Sequence, residues 1–338
     1  MAQKMANVAV VGATGAVGSE MLRTLEERGF GVRTIRAFAS ARSIGQELEF
    51  MGDTLKVEEL KPGVFKNIDI ALFSAGSAVS KQFAPLAAQE GTVVIDNSSH
   101  FRMEQDVPLV IPEVNPQDIA QFKARRIIAN PNCSAIQVIV AVWPLAAVIP
   151  LKRMVVSTYQ AVSGAGAKGI DELETQIRSA FNHKDIEPHV FAKQIAFNCL
   201  PMIGALDEHG DTSEELKMVQ ESRKIMHLPE LAAHCTCVRV PVFNGHSTSV
   251  NLEFEKPISV IQAREILRQA KGVLLIEDKG DFPTPLKASG QDATLVGRLR
   301  KDTSVAHGIS LFCCADNLRK GAATNAVQIA ELLLRDYL

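Results

Sequence analysis

Three stretches of this chain hold residues whose types and spacing can do chemistry. They are Gly12-Ala13-Thr14-Gly15-Ala16-Val17-Gly18, Asn130-Pro131-Asn132-Cys133-Ser134 and, much later, Val242-Phe243-Asn244-Gly245-His246-Ser247. A cysteine just before a helical pattern gains thiolate character from the helix's positive end, and a loop position exposes it to substrate. A histidine brought to that sulfur can take its proton and later return one, so Cys133 and His246 point to a covalent acyl intermediate. Beside a dinucleotide turn, they point to an acyl-transferring dehydrogenase or reductase. A structural thiol and a turn histidine are the plain alternatives, because spacing along the chain proves no contact.

The glycines at 12, 15 and 18 form a G-x-x-G-x-x-G variant of the dinucleotide fingerprint. Such a turn lets the backbone pass close to a pyrophosphate, while the helix opening at Ala16 and Val17 presents unpaired amides. No carboxylate closes the second strand to receive a ribose diol. Ser40, Arg42 and Ser43 stand there instead, which favours the phosphorylated nicotinamide cofactor, NADP/NADPH, over a solvated serine-arginine loop.

These residues need a scaffold, and the apolar periodicity supplies one. Residues 7–11, 32–38, 69–73, 92–95 and 126–129 read as strands, with helices over 17–28 and 80–90, the order of a Rossmann-like, doubly wound α/β cofactor domain. A buried helix is expected over 135–148, with Pro144 positioned to kink it. Beyond it come a strand at 154–159, the turn Ser163-Gly164-Ala165-Gly166, and helices to about residue 180 and over 211–225. Strands at 237–241, 247–254 and 304–313 follow, then a helix at 321–334. The expected organisation is a cofactor domain over 1–132, an α+β catalytic and oligomerisation domain with a mixed sheet over 133–317, and a terminal helix in 318–338 returning to the first.

The 338 residues, 46% of them hydrophobic, suffice for two cores, and 36 basic against 38 acidic residues leave no field that marks a nucleic-acid or membrane partner. The start MAQKMANVAVVG has no leader-like pattern and no apolar run is long enough to span a membrane, so a cytoplasmic location is expected. The six cysteines form no repeated C-x-x-C pairs, and His234 beside Cys235 is weak evidence for zinc, so no metal site and reduced thiols are expected.

Taken in order, the segments 12–18, 40–45, 74–80, 98–102, 130–134, 160–166, 214–217, 239–246 and 325–328 resemble the bacterial type of the aspartate-semialdehyde dehydrogenase family. The resemblance implies reductive dephosphorylation of 4-aspartyl phosphate to aspartate 4-semialdehyde and inorganic phosphate by NADPH, within lysine, threonine and methionine biosynthesis, by a homodimer joined through its catalytic domains. It makes Cys133 the nucleophile, His246 the acid–base residue and Gln160 an orienting group. Arg239 would hold the substrate carboxylate and Glu214 its amino end, while Arg102 and Lys217 hold phosphate and Asn132 lies with the substrate groups. Ser77, Ser163, Gly164 and Asn325 fall in segments matching the cofactor site. Taken alone, Glu214 and Lys217 are an ordinary helix ion pair. The competing readings are an N-acyl-glutamyl-phosphate reductase, a glyceraldehyde-phosphate dehydrogenase, a cysteine hydrolase and a non-enzymatic nucleotide-binding scaffold.

Overall fold

The Val- and Ala-rich run at the start forms β1, Ala6–Val11, in a computed structural model that describes residues 4–338. Residues 1–3, where the leader-free start was expected, lie outside the described residues. The chain divides into two compact units, one running to Asn132 and resuming with Ala322–Leu338, the other comprising Cys133–Gly321.

In the first unit β1 is followed by α1 (Ala16–Glu27) and β2 (Val32–Ala39). The hairpin of β3 (Glu47–Phe50) and β4 (Asp53–Glu59) comes next, then β5 (Ile70–Phe73), α2 (Ser77–Gln89), β6 (Val93–Asp96) and β7 (Ile127–Ala129). The seven strands lie in the order β3-β4-β2-β1-β5-β6-β7, all neighbours parallel except β3 and β4. The strands fan out from β1 in both directions, so the loop after β1 opens at the switch point where such sheets bind ligands. The β3–β4 hairpin was not expected: its strands are short and charged, and its two-residue turn uses Met51 and Gly52, both at positive φ (53° and 83°). The C-terminal helix Thr324–Asp336 belongs to this unit. Its Ala326, Val327, Ile329, Ala330 and Leu333 share a core with Met21, Leu22 and Leu25 of α1.

The second unit opens with α3 (Cys133–Ala146), buried on nearly all sides and therefore apolar all round, as its sequence is. It starts at Cys133 itself, two residues before the expected onset, and carries Pro144 within its span. β8 (Leu151–Gln160), a tight 3-10 turn at Val162–Ala165, α4 (Ala167–Phe181) and α5 (Ser213–Ile225) follow. Next come β9 (Ala232–Arg239), β10 (His246–Phe254), α6 (Val260–Arg268), β11 (Val273–Leu275), α7 (Pro285–Ala288), β12 (Thr294–Asp302) and β13 (Gly308–Ala315). The sheet order is β11-β12-β13-β10-β8-β9, parallel at its two outer pairs and antiparallel between, hence mixed.

The strand expected over 237–241 instead ends at Arg239, because Pro241 cannot continue the ladder. Helix α6 and strands β11 and β12 were not expected. In β12, Arg298, Arg300 and Lys301 interrupt the apolar alternation, and a register shift falls between Gly297 and Arg300. Among the described residues no helix is long and apolar enough to cross a membrane, and no group of three or more His, Cys, Asp or Glu is placed to hold a metal ion.

Candidate active site

Sheet direction gathers the reactive groups of the second unit. Strands β8 and β9 run parallel with Gln160 opposite Arg239 at their carboxyl ends, and β10 runs antiparallel to β8, so its first residue, His246, falls at the same end. Cys133 is the first residue of α3, where the helix dipole favours a thiolate. Its Sγ lies 3.4 Å from His246 Nε2, across 113 residues of sequence. On the other side of the ring, His246 Nδ1 accepts from the Ala161 N–H at 3.0 Å, and the carbonyl of that same residue accepts from Arg239 Nη1 at 2.7 Å. One backbone position therefore aligns both side chains. Gly164 leaves the room they need: a Cβ there would stand 2.6 Å from Arg239 Nη1 and 3.2 Å from His246 Cε1.

Gln160 is fully enclosed and donates through Nε2 to Ser134 Oγ and, at 3.2 Å, to Glu214 Oε1; its own Oε1 is buried with no protein partner. Glu214 also pairs with Lys217 Nζ at 3.1 Å. Their helix, α5, is seated by a capping box between Thr212 and Glu215, and Glu215 further accepts from the Cys237 N–H at 2.9 Å. This ties α5 to β9 two residues before Arg239, so Glu214 and Arg239 are held from one anchor. Burial alone would raise the Glu215 carboxyl, but the hydrogen bonds from Thr212 and Cys237 outweigh it and the net shift is downward.

His246 is wholly buried. Loss of solvent, reinforced by the Arg239 charge and opposed by Glu214, lowers it from 6.5 to about 3, so the ring is neutral at physiological pH. Burial also lowers the Arg239 pKa, against the pull of Cys133 and Glu214. Around this core Asn317 Oδ1 accepts from the Gly245 N–H at 3.0 Å and from Ser163 Oγ at 3.1 Å, and Asp316 accepts from Asn244 Nδ2 at 2.9 Å, which fixes the turn delivering His246.

The first unit has a site of another kind. Gly12, at φ +83°, passes so close to the end of β5 that a Cβ would sit 2.5 Å from the Ser74 carbonyl oxygen, and a Cβ on Gly18 would collide with the Gly12 carbonyl. Gly15 occupies the N-cap position of α1 with no capping side chain, leaving the amides at Ala16 and Val17 for an anion. Thr14 Oγ1 donates to Ser43 Oγ at 3.4 Å, so the glycine turn and the loop after β2 adjoin; Ser40 and Arg42 on that loop are exposed. Ser77 Oγ lies 3.1 Å from Ser99 Oγ. This bare helix start with a cationic, hydroxyl-rich rim fits a dinucleotide bearing an extra phosphate.

Several expected residues are more tightly committed than the sequence suggested. Arg102 is buried and donates to the carbonyls of Asn130 (2.9 Å) and Asn97 (2.7 Å). Asn325 donates to Val110 O at 3.0 Å and Asn130 Oδ1 at 2.7 Å, bracing the segment that leads through the buried Asn132. Ser163, expected with the cofactor residues, belongs to the second unit and its hydroxyl is bound to Asn244 and Asn317. Sequence reasoning missed Ala161, Ser134, Glu215, Asn317, Asn97 and Asn130 as positioning groups. Ala161 acts through its backbone and could leave no side-chain signature; only Thr212-x-x-Glu215, a capping-box spacing, was open to detection.

A dinucleotide turn in one unit and a cysteine–histidine pair in the other define a class. Residues 7–122 match the semialdehyde dehydrogenase NAD binding domain, and residues 142–320 the semialdehyde dehydrogenase dimerisation domain. The chain is 53% identical to an aspartate-semialdehyde dehydrogenase of Aquifex aeolicus over 98% of both chains. It superposes with TM-score 0.98 and 50% identity on the crystal structure of aspartate semialdehyde dehydrogenase II from Vibrio cholerae, covering 99% of this chain and 100% of that one. A second structure of the Vibrio cholerae enzyme, complexed with ASA, matches equally well. The chain belongs to the aspartate-semialdehyde dehydrogenase family, oxidoreductases with a Rossmann-like nucleotide-binding domain and a mixed α+β second domain.

Proposed function

We propose that this protein reduces 4-aspartyl phosphate to aspartate 4-semialdehyde with release of phosphate, using NADPH. The observation that carries the reading is the 3.4 Å approach of Cys133 Sγ to His246 Nε2 at the sheet end that also holds Arg239 and Glu214. The Cys133 sulfur attacks the acyl carbon, the carbon–oxygen bond to phosphate breaks, and a thioester remains on the enzyme. When bound, the reduced nicotinamide supplies the hydride that converts this thioester to the aldehyde, freeing the sulfur. Arg239 takes the substrate carboxylate through its planar fork and Glu214 the ammonium, which orients the reacting carbon at Cys133. Gln160 steadies Glu214 and Ser134, and backbone N–H groups at Asn132 and Cys133 receive the developing oxyanion. Arg102 and Lys217 hold the phosphate. His246 fills the acid–base position beside the sulfur.

For the cofactor, Gly12, Thr14, Gly15, Ala16, Val17 and Gly18 form the pyrophosphate turn and Ser40, Arg42 and Ser43 the rim for the ribose phosphate, with Ser77, Ser163, Gly164 and Asn325 completing or bracing the site. We assign the functional domains as 1–132, 133–317 and a returning segment 318–338. A homodimer is supported by the dimerisation-domain match, and a cytoplasmic setting by six cysteines that form no disulfide among the described residues.

The test offers 4-aspartyl phosphate and an N-acyl-glutamyl phosphate together to the enzyme with NADPH, following cofactor oxidation and the mass of the Cys133 peptide. Selective consumption of the aspartyl compound, with an acyl adduct on Cys133, is expected. Equal use of both substrates would overturn the substrate assignment, and full turnover without the Cys133 thiol would overturn the mechanism.

A further inference from the structure

Helix α4 turns a half-polar stripe toward the core. Gly169, Glu172, Leu173 and Gln176 recur at helical spacing and all are buried, and neither Glu172 nor Gln176 takes part in the chemistry described above. A buried carboxyl or amide costs stability unless its hydrogen-bonding groups are matched, so its partners show what it is there to hold. Glu172 Oε2 accepts from the His189 N–H at 3.0 Å and from the Val190 N–H, and Oε1 accepts from the Phe191 N–H at 3.4 Å. Gln176 Oε1 accepts from the Ile195 and Ala196 N–H groups at 2.9 and 3.0 Å, and its Nε2 donates to Glu172 Oε1 at 3.0 Å. Two linked side chains, one turn apart, thus bind the amides of residues 189–196, a segment that forms no helix or strand of its own.

That segment carries Phe191 to the arginine of the site. The Arg239 guanidinium carbon lies over the Phe191 ring, 6.0 Å from its centroid. Elsewhere Nη1 is held by the Ala161 carbonyl and passes over the bare Cα of Gly164. One hydrogen bond does not fix the plane of the fork, and there is room for it to swing: Arg239 and Phe191 line a common cavity of about 570 Å³, with Ala165, Leu200 and Ile203 also in its wall. The Phe191 ring is the wall that limits the swing. Helix α4 gauges its place twice, through Glu172 on the Phe191 backbone and through Gly169, where a Cβ would stand 3.3 Å from Phe191 Cζ.

We propose that Glu172 and Gln176 are positioning residues for Arg239: they fix residues 189–196 so that the Phe191 ring holds the guanidinium plane in the orientation that receives the substrate carboxylate. Neither residue touches substrate. A long side chain pinned before binding has less rotamer freedom to lose on binding, which tightens capture without altering the bond-making step. Carboxylate capture rests on the role proposed for Arg239 above, whereas the ordering of its guanidinium stands without it.

The test uses the full-length protein and a swap of the two side chains. Glu172→Gln sets an NH2 group against the Nε2 donor of Gln176. In the double variant E172Q/Q176E that NH2 points to a carboxyl again, an amide oxygen is left for His189 and Val190, and the moved carboxyl accepts from Ile195 and Ala196. Only the longest of the bonds, from the Phe191 N–H, is forgone. Phe191→Ala leaves the clamp intact and removes the ring alone.

Nitrogen-15 relaxation of the Arg239 Nε–H, assigned by its loss in R239K, is expected to report an ordered side chain in the parent and the swap and a mobile one in E172Q and F191A. With 4-aspartyl phosphate and NADPH, KM for the acyl phosphate is expected to rise about tenfold in E172Q and F191A with kcat within about threefold, the pattern of lost uniform binding, and to return toward the parent in the swap. A guanidinium as ordered in F191A as in the parent overturns the proposal. So does a swap as defective as E172Q, since a merely structural loss at Glu172 would not be repaired by a carboxyl one turn away, and so does a fall in kcat with KM unchanged. A mobile guanidinium with kcat and KM both unchanged would uphold the clamp and count against the carboxylate role of Arg239 alone.

Discussion

The glycine turn of the first unit and the cysteine site of the second solve the problem of holding reactive groups in opposite ways. The turn recruits its donors from consecutive backbone amides, and its demands are negative: no side chain at Gly12 or Gly18, no cap at Gly15. The cysteine site recruits side chains from α3, β8, β9, β10 and α5, each held by a further bond, down to the Ala161 peptide that binds His246 with one end and Arg239 with the other. A contiguous site tolerates change around it and fails locally. A convergent site couples its members, so losing one displaces others.

That contrast can be broken by substitution. Cys133→Ser, which removes the sulfur proposed to react, is expected to lower kcat by about 10⁴-fold or more, as loss of a catalytic nucleophile does; stopped-flow cofactor oxidation reads it, and anything near parental turnover would end the convergent-site account. Arg239→Ala is expected to cost about 10²- to 10³-fold in kcat/KM, the range for stripping one partner from a desolvated charge pair. Because Arg239 also holds the Ala161 carbonyl, kcat should fall along with a rise in KM, whereas a pure KM effect would show that the two side chains are not coupled. At the glycine turn, Arg42→Ala is expected to weaken NADPH about tenfold by titration while leaving NADH nearly unchanged, the loss of one exposed charge-assisted contact. Equal losses for both cofactors would mean that the loop matters only for folding.

Acid separates the two regions by another route. The unfolded His246 ring takes a proton near 6.5 and the folded one resists until about 3, so within that window the unfolded chain binds more protons and stability falls as pH falls. Above pH 6.5 both states are neutral and the term vanishes. Urea unfolding at a series of pH values should show this decline, made shallower in H246Q; identical slopes would mean that His246 is not held neutral. The smallest effect is expected from Thr212→Ala, which removes the capping box of α5 at about 1 kcal/mol. Its melting temperature should drop slightly and its KM rise, since Glu214 rides on that helix; an unchanged KM would uncouple the cap from the site.

Much of this was legible in the chain. The strand, glycine turn and helix at residues 6–27 read directly, because their meaning is local. The hairpin at Met51 and Gly52 was not, since a non-glycine residue at positive φ has no distinctive sequence pattern. Strand β12 escaped because its charges interrupt the alternation. Cys133 and His246 were recognisable as candidates by type and, through family resemblance, by position. The bonds of Ser134, Glu215 and Asn317 were not, because a hydrogen bond between distant segments leaves no periodicity.

The sequence by itself determined the chemistry available: a thiol at the head of an apolar helix, an imidazole after a flexible glycine, an arginine fork, and a bare glycine turn after a buried strand. Tertiary structure alone decided how these act. Strand direction in the mixed sheet brought Gln160, Arg239 and His246 to one end, and burial stripped water from the imidazole. One backbone amide, at a residue whose alanine side chain says nothing of it, chose which nitrogen faces the sulfur, because protonation depends on the donors and charges around a group, and those are set by the fold.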